Sequence, residues 1–147
     1  MAAWENDSEA VAGLEELVGP TGSWRGAAGA ELHHHDPGLA AALAAFLKHE
    51  QPRRVIDMGC GLGKYVQAIR AKGVACDGFD GHASTEELTV GLCYTADFAD
   101  PQLANRVAAE GYDWCVCLEV FEHVPKHLES QLVSCMLAGT GKGLVVS

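Results

Sequence analysis

Apolar residues in this chain gather into short runs separated by helix-length stretches of mixed polarity. The runs at 54–57, 74–79, 113–118 and 143–146 predict strands, and 91–95 predicts a further one between the second and third of these. The run at 74–79 is broken near its end by Asp77 and Gly78. Between the runs, 64–72 predicts a helix closed by Gly73, and Asp100 and Pro101 open one that runs through Ala109 and stops at Gly111. A further helix is predicted over 126–137. Ahead of the first strand, Asp36 and Pro37 suit a cap and first turn, and Leu39, Leu43, Phe46 and Leu47 then recur at helical spacing. Lys48 and His49 stand where the carbonyl end of that helix favours positive charge. Strands joined through helices need crossover connections, so the pattern predicts an α/β fold, a parallel sheet with helices on both faces.

Residues 1–30 break the alternation. They hold one weak helical stretch at 9–18 and then GPTGSWRGAAGA, which has no apolar period, so they are expected to form a flexible leader to a domain spanning 31–147. Trp4 and Trp24 in this leader receive no role. At 147 residues and 48% hydrophobic content, the chain suits about one domain with one core. Ten Lys and Arg against twenty Asp and Glu give a formal charge of -10 with no basic stripe, so no nucleic-acid partner is expected. The acidic N-terminus MAAWENDSEA carries no apolar run of signal-peptide length and nowhere do about 18 consecutive apolar residues occur, so no membrane association is expected and the default compartment is the cytosol. The six cysteines, at 60, 76, 93, 115, 117 and 135, show no C-x-x-C spacing and read as reduced core residues.

The first strand ends in VIDMGCGLGKY, an acid followed by three glycines. In an open parallel sheet, ligands bind beyond the carboxyl ends of the strands, where this turn lies. A dinucleotide fingerprint starting at Gly59 would need Gly or Ala at Lys64, and a phosphate-binding loop would need Gly at Met58 and Ser or Thr at Tyr65. Both fail. The pattern Asp57-x-Gly59-x-Gly61-x-Gly63 instead resembles the class I S-adenosylmethionine-dependent methyltransferases, and further segments resemble that family in order: GFD ending in Asp80, ADFAD with Asp97 and Phe98, and EVFEH from Glu119 to His123. The last is similar to the E-V-x-E-H segment of small-molecule methyltransferases, including those of ubiquinone synthesis.

The resemblance implies a Rossmann-like methyltransferase fold that takes S-adenosyl-L-methionine as cofactor and a small molecule as methyl acceptor. Asp57, Gly59, Cys60, Gly61 and Gly63 would pass under its methionine part, Asp80 would accept the ribose hydroxyls, and Gly81 with His82 would lie against adenine. Asp97 would take the adenine amino group and the Phe98 backbone a ring nitrogen, with Glu119 completing the cofactor contacts. Asp100 reads as a helix cap only.

His123 and Glu119 are the candidates for chemistry, His123 as a base if the acceptor is a hydroxyl; its other reading is a histidine that holds the loop by hydrogen bonds. Glu119, Glu122 and His123 also carry donors that suit a hard divalent cation, as in some O-methyltransferases with a similar segment, although most need none and no metal is assigned. His33, His34 and His35 precede the first helix and are candidates to touch the cofactor or acceptor, against a plainer reading as a polar lead-in, while Tyr112 and Trp114 read as core and strand-end residues. The family has seven strands, and this sequence stops at the fifth, so a partial domain is expected, with an exposed fifth-strand edge open to self-association. Two functions stay open: an active methyltransferase, and a binding module that holds the cofactor without turnover.

Overall fold

The structure, a computed structural model, describes residues 17–26, 35–138 and 140–147. Most of the helical stretch expected at 9–18, and Trp4, His33 and His34, lie outside the described residues. Helix α1 (Pro37–Glu50) leads into strand β1 (Val55–Met58), α2 (Lys64–Ala71), β2 (Cys76–Asp80), a short α3 (Thr85–Leu88) and β3 (Cys93–Thr95). Then come α4 (Leu103–Glu110), β4 (Trp114–Cys117), two single 3-10 turns (Phe121–His123 and Lys126–Leu128), α5 (Glu129–Ala138) and β5 (Gly143–Val146). The five strands form one parallel sheet in the order β3-β2-β1-β4-β5, the Rossmann-like arrangement expected. Among the described residues no helix is long and apolar enough to cross a membrane.

Alternation along the central strands sorts side chains into two apolar layers. Val55, Val116 and Cys76 join Leu43, Leu47, Val66 and Ile69 beneath α1 and α2, while Ile56, Met58, Cys115 and Cys117 face Leu103, Val107, Leu132 and Met136 of α4 and α5. Both layers exclude water, and each fully buried aliphatic side chain contributes roughly 1.5–3 kcal/mol. All six cysteines are buried and free.

Three local features depart from the periodic reading. In α1 the buried positions are Ala40, Leu43, Ala44 and Leu47, whereas Leu39 and Phe46 are 42% and 40% exposed. Small alanines let α1 approach α2 closely, and Phe46 is displaced to the rim, edge-on to Trp114 at 5.0 Å. The break at Asp77 and Gly78 is filled within the sheet. Asp77 accepts from Arg54 Nε at 2.6 Å and from the Tyr112 hydroxyl at 3.2 Å. A Cβ at Gly78 would lie 2.6 Å from Cys93 Sγ and 2.9 Å from Cys60 Sγ, so only glycine fits. Helix α3, between β2 and β3, had no periodic signal.

β1 is central, with β2 and β3 laid to one side before the chain crosses back to place β4 and β5 on the other. The order therefore reverses between β1 and β4, and the crevice beyond their carboxyl ends is where an open parallel sheet binds its ligand.

Candidate ligand cleft at the switch point

The glycine turn leaves β1 with Gly59, Gly61 and Gly63 at φ of 85°, 51° and 70°, a left-handed region that side chains rarely adopt. The Phe79 carbonyl of β2 anchors it, accepting from the amides of Gly59 at 2.7 Å and Cys60 at 3.1 Å. Gly59 also faces β4's exit: a Cβ there would sit 2.2 Å from Val120 Cγ2. Bareness at Gly59 thus lets the loops after β1 and β4 come together.

Asp57 lies under this turn, between Gly78 of β2 and Val116 of β4. It is 2% exposed, and its Oδ2 is buried without a hydrogen-bond partner. Burial, reinforced by the charge of Asp80, pushes its pKa up to about 7. Asp80, at the end of β2, accepts the Gly61 amide on Oδ2 at 2.8 Å and the His82 amide on Oδ1 at 2.9 Å. Each carboxylate oxygen keeps a second lone pair, so the arrangement leaves room for two further donors. The Cys60 thiol is buried, and its pKa is pushed up by hydrogen bonding to Cys93 and by burial, so it is a packing group and not a nucleophile.

Beyond β4, Glu119 takes a left-handed φ of 55°, and its side chain accepts from the Ser147 hydroxyl at 2.9 Å. The 3-10 turn that follows presents Glu122 and His123, with His123 Nε2 3.8 Å from Glu122 Oε1. A cleft of about 380 Å³ is lined by Asp57, the glycine turn, Glu119, Glu122 and His123, and walled by Trp24, His35 and Tyr65. The His35 and Tyr65 rings meet edge-on at 5.3 Å. Beside it lies a second hollow of only about 50 Å³, lined by Asp80, Gly81, Phe98, Val120 and the segment Thr21 to Trp24.

The structure thus brings Asp57, Gly59, Cys60, Gly61, Asp80, Gly81, Phe98, Glu119 and His123 to the two hollows. Gly63 serves instead as the start of α2, and Asp97 is set apart: it is exposed, lines neither hollow, and its Oδ1 accepts the Ala99 amide at 2.9 Å. Asp100 accepts the Gln102 amide at 2.8 Å at the entry to α4. No group of three or more His, Cys, Asp or Glu able to hold a metal ion occurs among the described residues. Among the lining residues that sequence reasoning left without a role, Tyr65 included, is Trp24. Its ring meets His123 edge-on at 4.9 Å, a contact across the whole domain that no local period could signal.

The profile of a methyltransferase domain family matches residues 32–143. Over 84 residues the chain is 33% identical to the ubiquinone biosynthesis O-methyltransferase of Paracidovorax citrulli (strain AAC00-1), covering 51% of this chain and 34% of that protein. The chain thus spans about a third of the length of that curated relative. Among solved structures, the methyltransferase domain of bacterial CtHen1-CN superposes with a TM-score of 0.59 at 18% identity, over 74% of this chain and 63% of that one. Magnesium protoporphyrin IX methyltransferase (ChlM) from Synechocystis PCC 6803, solved with bound SAM, gives 0.55 at 18% identity over 74% and 56%. At such identities the likeness is one of fold.

Proposed function

The chain belongs to the methyltransferase domain family, and from that premise we propose that it binds S-adenosyl-L-methionine in the switch-point cleft and transfers its methyl group to a small-molecule acceptor. The observation that carries the reading is the Asp57 carboxylate: an oxygen buried without a partner, on the wall of a cleft, beneath a turn of glycines. An orphaned buried acceptor costs roughly 1–3 kcal/mol, and a ligand ammonium group would remove that cost. The residues therefore fit the amino-acid end of the cofactor.

Asp57 and the turn from Gly59 to Gly61 would hold that end, the free lone pairs of Asp80 would take the ribose hydroxyls, and Gly81 and Phe98 would flank the adenine. When bound, the cofactor supplies a methyl group activated on a sulfonium. The protein's part is to align an acceptor with that bond and keep water away. His35 and Tyr65 wall the cleft and suit that exclusion. His123, half-buried at the cleft mouth and near Glu122, is placed to take a proton from a hydroxyl acceptor. A cleft of about 380 Å³ is of the size that takes small molecules.

Calorimetric titration with S-adenosylhomocysteine, with NAD as the competitor, tests the cofactor. Asp80→Ala removes two charge-assisted bonds of about 1.5–3 kcal/mol each and is expected to weaken binding at least tenfold while the circular dichroism spectrum stays unchanged. Preference for NAD, or an unaltered dissociation constant, would overturn the assignment.

A further inference from the structure

The segment Leu17 to Gly26 is folded. Val18 and Trp24 form an antiparallel bridge, Gly19 donates to the Ser23 carbonyl at 2.7 Å, and Arg25 donates to the Leu17 carbonyl at 2.7 Å. This strap is seated on the cleft by contacts that leave no slack. A Cβ on Gly22, whose φ is 87°, would lie 2.4 Å from the His123 carbonyl oxygen. A Cβ on Gly81 would lie 2.7 Å from Ser23 Cβ, so two glycines on opposite sides let the backbones touch. His82 latches the far end: its Nδ1 accepts the Ser84 amide at 3.1 Å, which leaves Nε2 protonated to donate to the Gly26 carbonyl at 3.2 Å.

The strap's position has a consequence for volume. Beneath it, against Asp80, Gly81, Phe98 and Val120, only about 50 Å³ remains. A water needs roughly 10–15 Å³ of such space, so the hollow holds a few waters and no purine nucleoside. The adjoining cleft at Asp57 and the glycine turn stays open at about 380 Å³. A strap that closes over a ligand would leave ligand-sized space against Asp80 and Phe98; this one leaves about 50 Å³ there, and the hollow of about 460 Å³ between the strap and Gly81–Ser84 is lined by neither residue.

We propose that residues 17–26 are an autoinhibitory strap that occupies the nucleoside half of the cofactor site and must lift before S-adenosyl-L-methionine seats fully. This rests on the cofactor reading above. The open cleft admits the amino-acid end first, and the nucleoside then competes with Ser23 for the surface of Gly81. The apparent affinity is lowered by the fraction of molecules whose strap is seated.

Gly22→Val in the full chain tests this, because it strains the strap at a left-handed φ and drives a side chain into the His123 carbonyl while touching none of the groups assigned to the cofactor. S-adenosylhomocysteine is expected to bind the variant at least about fivefold more tightly than the parent chain. Weaker or equal binding by a folded variant would overturn the proposal, the first outcome making the strap a clamp that belongs to the bound state. Trypsin gives a second readout on the unaltered chain, since Arg25 is the only Lys or Arg among residues 1–47. Cleavage after Arg25 is expected to accelerate when S-adenosylhomocysteine is added, and protection would count against the strap. If neither parent nor variant binds S-adenosylhomocysteine while both melt cooperatively, the cofactor reading fails, and the strap proposal falls with it for a separately visible reason.

Discussion

Asp57 combines three properties that pull against stability: burial, an orphaned oxygen, and the neighbouring charge of Asp80. Its pKa in the fold, about 7, stands above the ordinary value of 3.8 for an aspartate, so the native state holds a proton that the unfolded chain releases across that window. Native stability therefore declines as pH rises from about 4 to about 7, and the cost is fully present above that range. Asp57→Asn removes the titration, and its stability relative to the parent is expected to grow by about 2–3 kcal/mol between pH 5 and pH 8 in urea melts. Parallel curves for the two proteins would place the proton elsewhere. An ammonium group docking on Asp57 would favour the carboxylate, so S-adenosylhomocysteine binding near pH 6.5 is expected to release protons, read as a buffer-dependent calorimetric enthalpy. At this scale the glycine turn after β1 and the position of Asp80 at the end of β2 are legible, because backbone bareness and an acid at a strand end leave marks in the sequence. The amides that already occupy both Asp80 oxygens are not, since those bonds depend on how the turn after β1 folds back. Asp97 shows the opposite limit: its residue type matched the resemblance, yet the turn that holds it exposes it beside Ala99.

The elements were read well where burial imposes a period and poorly where contact between elements decides. β5 was bounded as observed, and β1, β2 and β4 lie within two residues of the runs that predicted them. In helix α1 the expected Leu43 and Leu47 are buried, but Leu39 and Phe46 are exposed and Ala40 and Ala44 are buried in their stead, because large side chains dominate a periodic reading whereas small ones suit a close helix pair. The joint between the loops after β1 and β4 shows the same dependence. Gly59→Ala would meet Val120 Cγ2 at 2.2 Å and hold a Cβ at φ 85°. Overpacking of about 1–3 kcal/mol and left-handed strain of about 1–2 kcal/mol should combine to several kcal/mol of lost stability. Val120→Ala gives the new methyl room but leaves the strain, so Gly59→Ala is expected to cost less in that background. A double-mutant cycle by chemical denaturation checks this, and additivity of the two changes would show that the loops do not press on each other.

At the scale of the whole molecule, the alternation of strands and helices announced a parallel sheet, and the rule that ligands sit at strand carboxyl ends pointed to the crevice between β1 and β4. The strap was illegible because Ser23 and Gly81, or Gly22 and His123, meet only after the sheet has brought distant segments together. β5 carries a further consequence of the architecture. β1 is buried at every position, whereas β5 is half-buried along most of its length and Val146 is 50% exposed. Its inner edge pairs with β4 from Gly143 to Val146, and among the described residues no strand pairs with its outer edge. A parallel strand with apolar side chains and an open row of backbone groups is a template for another strand. The 147-residue polypeptide is therefore expected to self-associate with rising concentration, which light scattering would show as a growing mean mass. Val146→Lys places a charge on that edge and is expected to shift the population toward monomer without lowering the melting temperature of the sheet. A parent chain that stays monomeric at high concentration would show that the outer edge of β5 is shielded, and the edge argument would fail there.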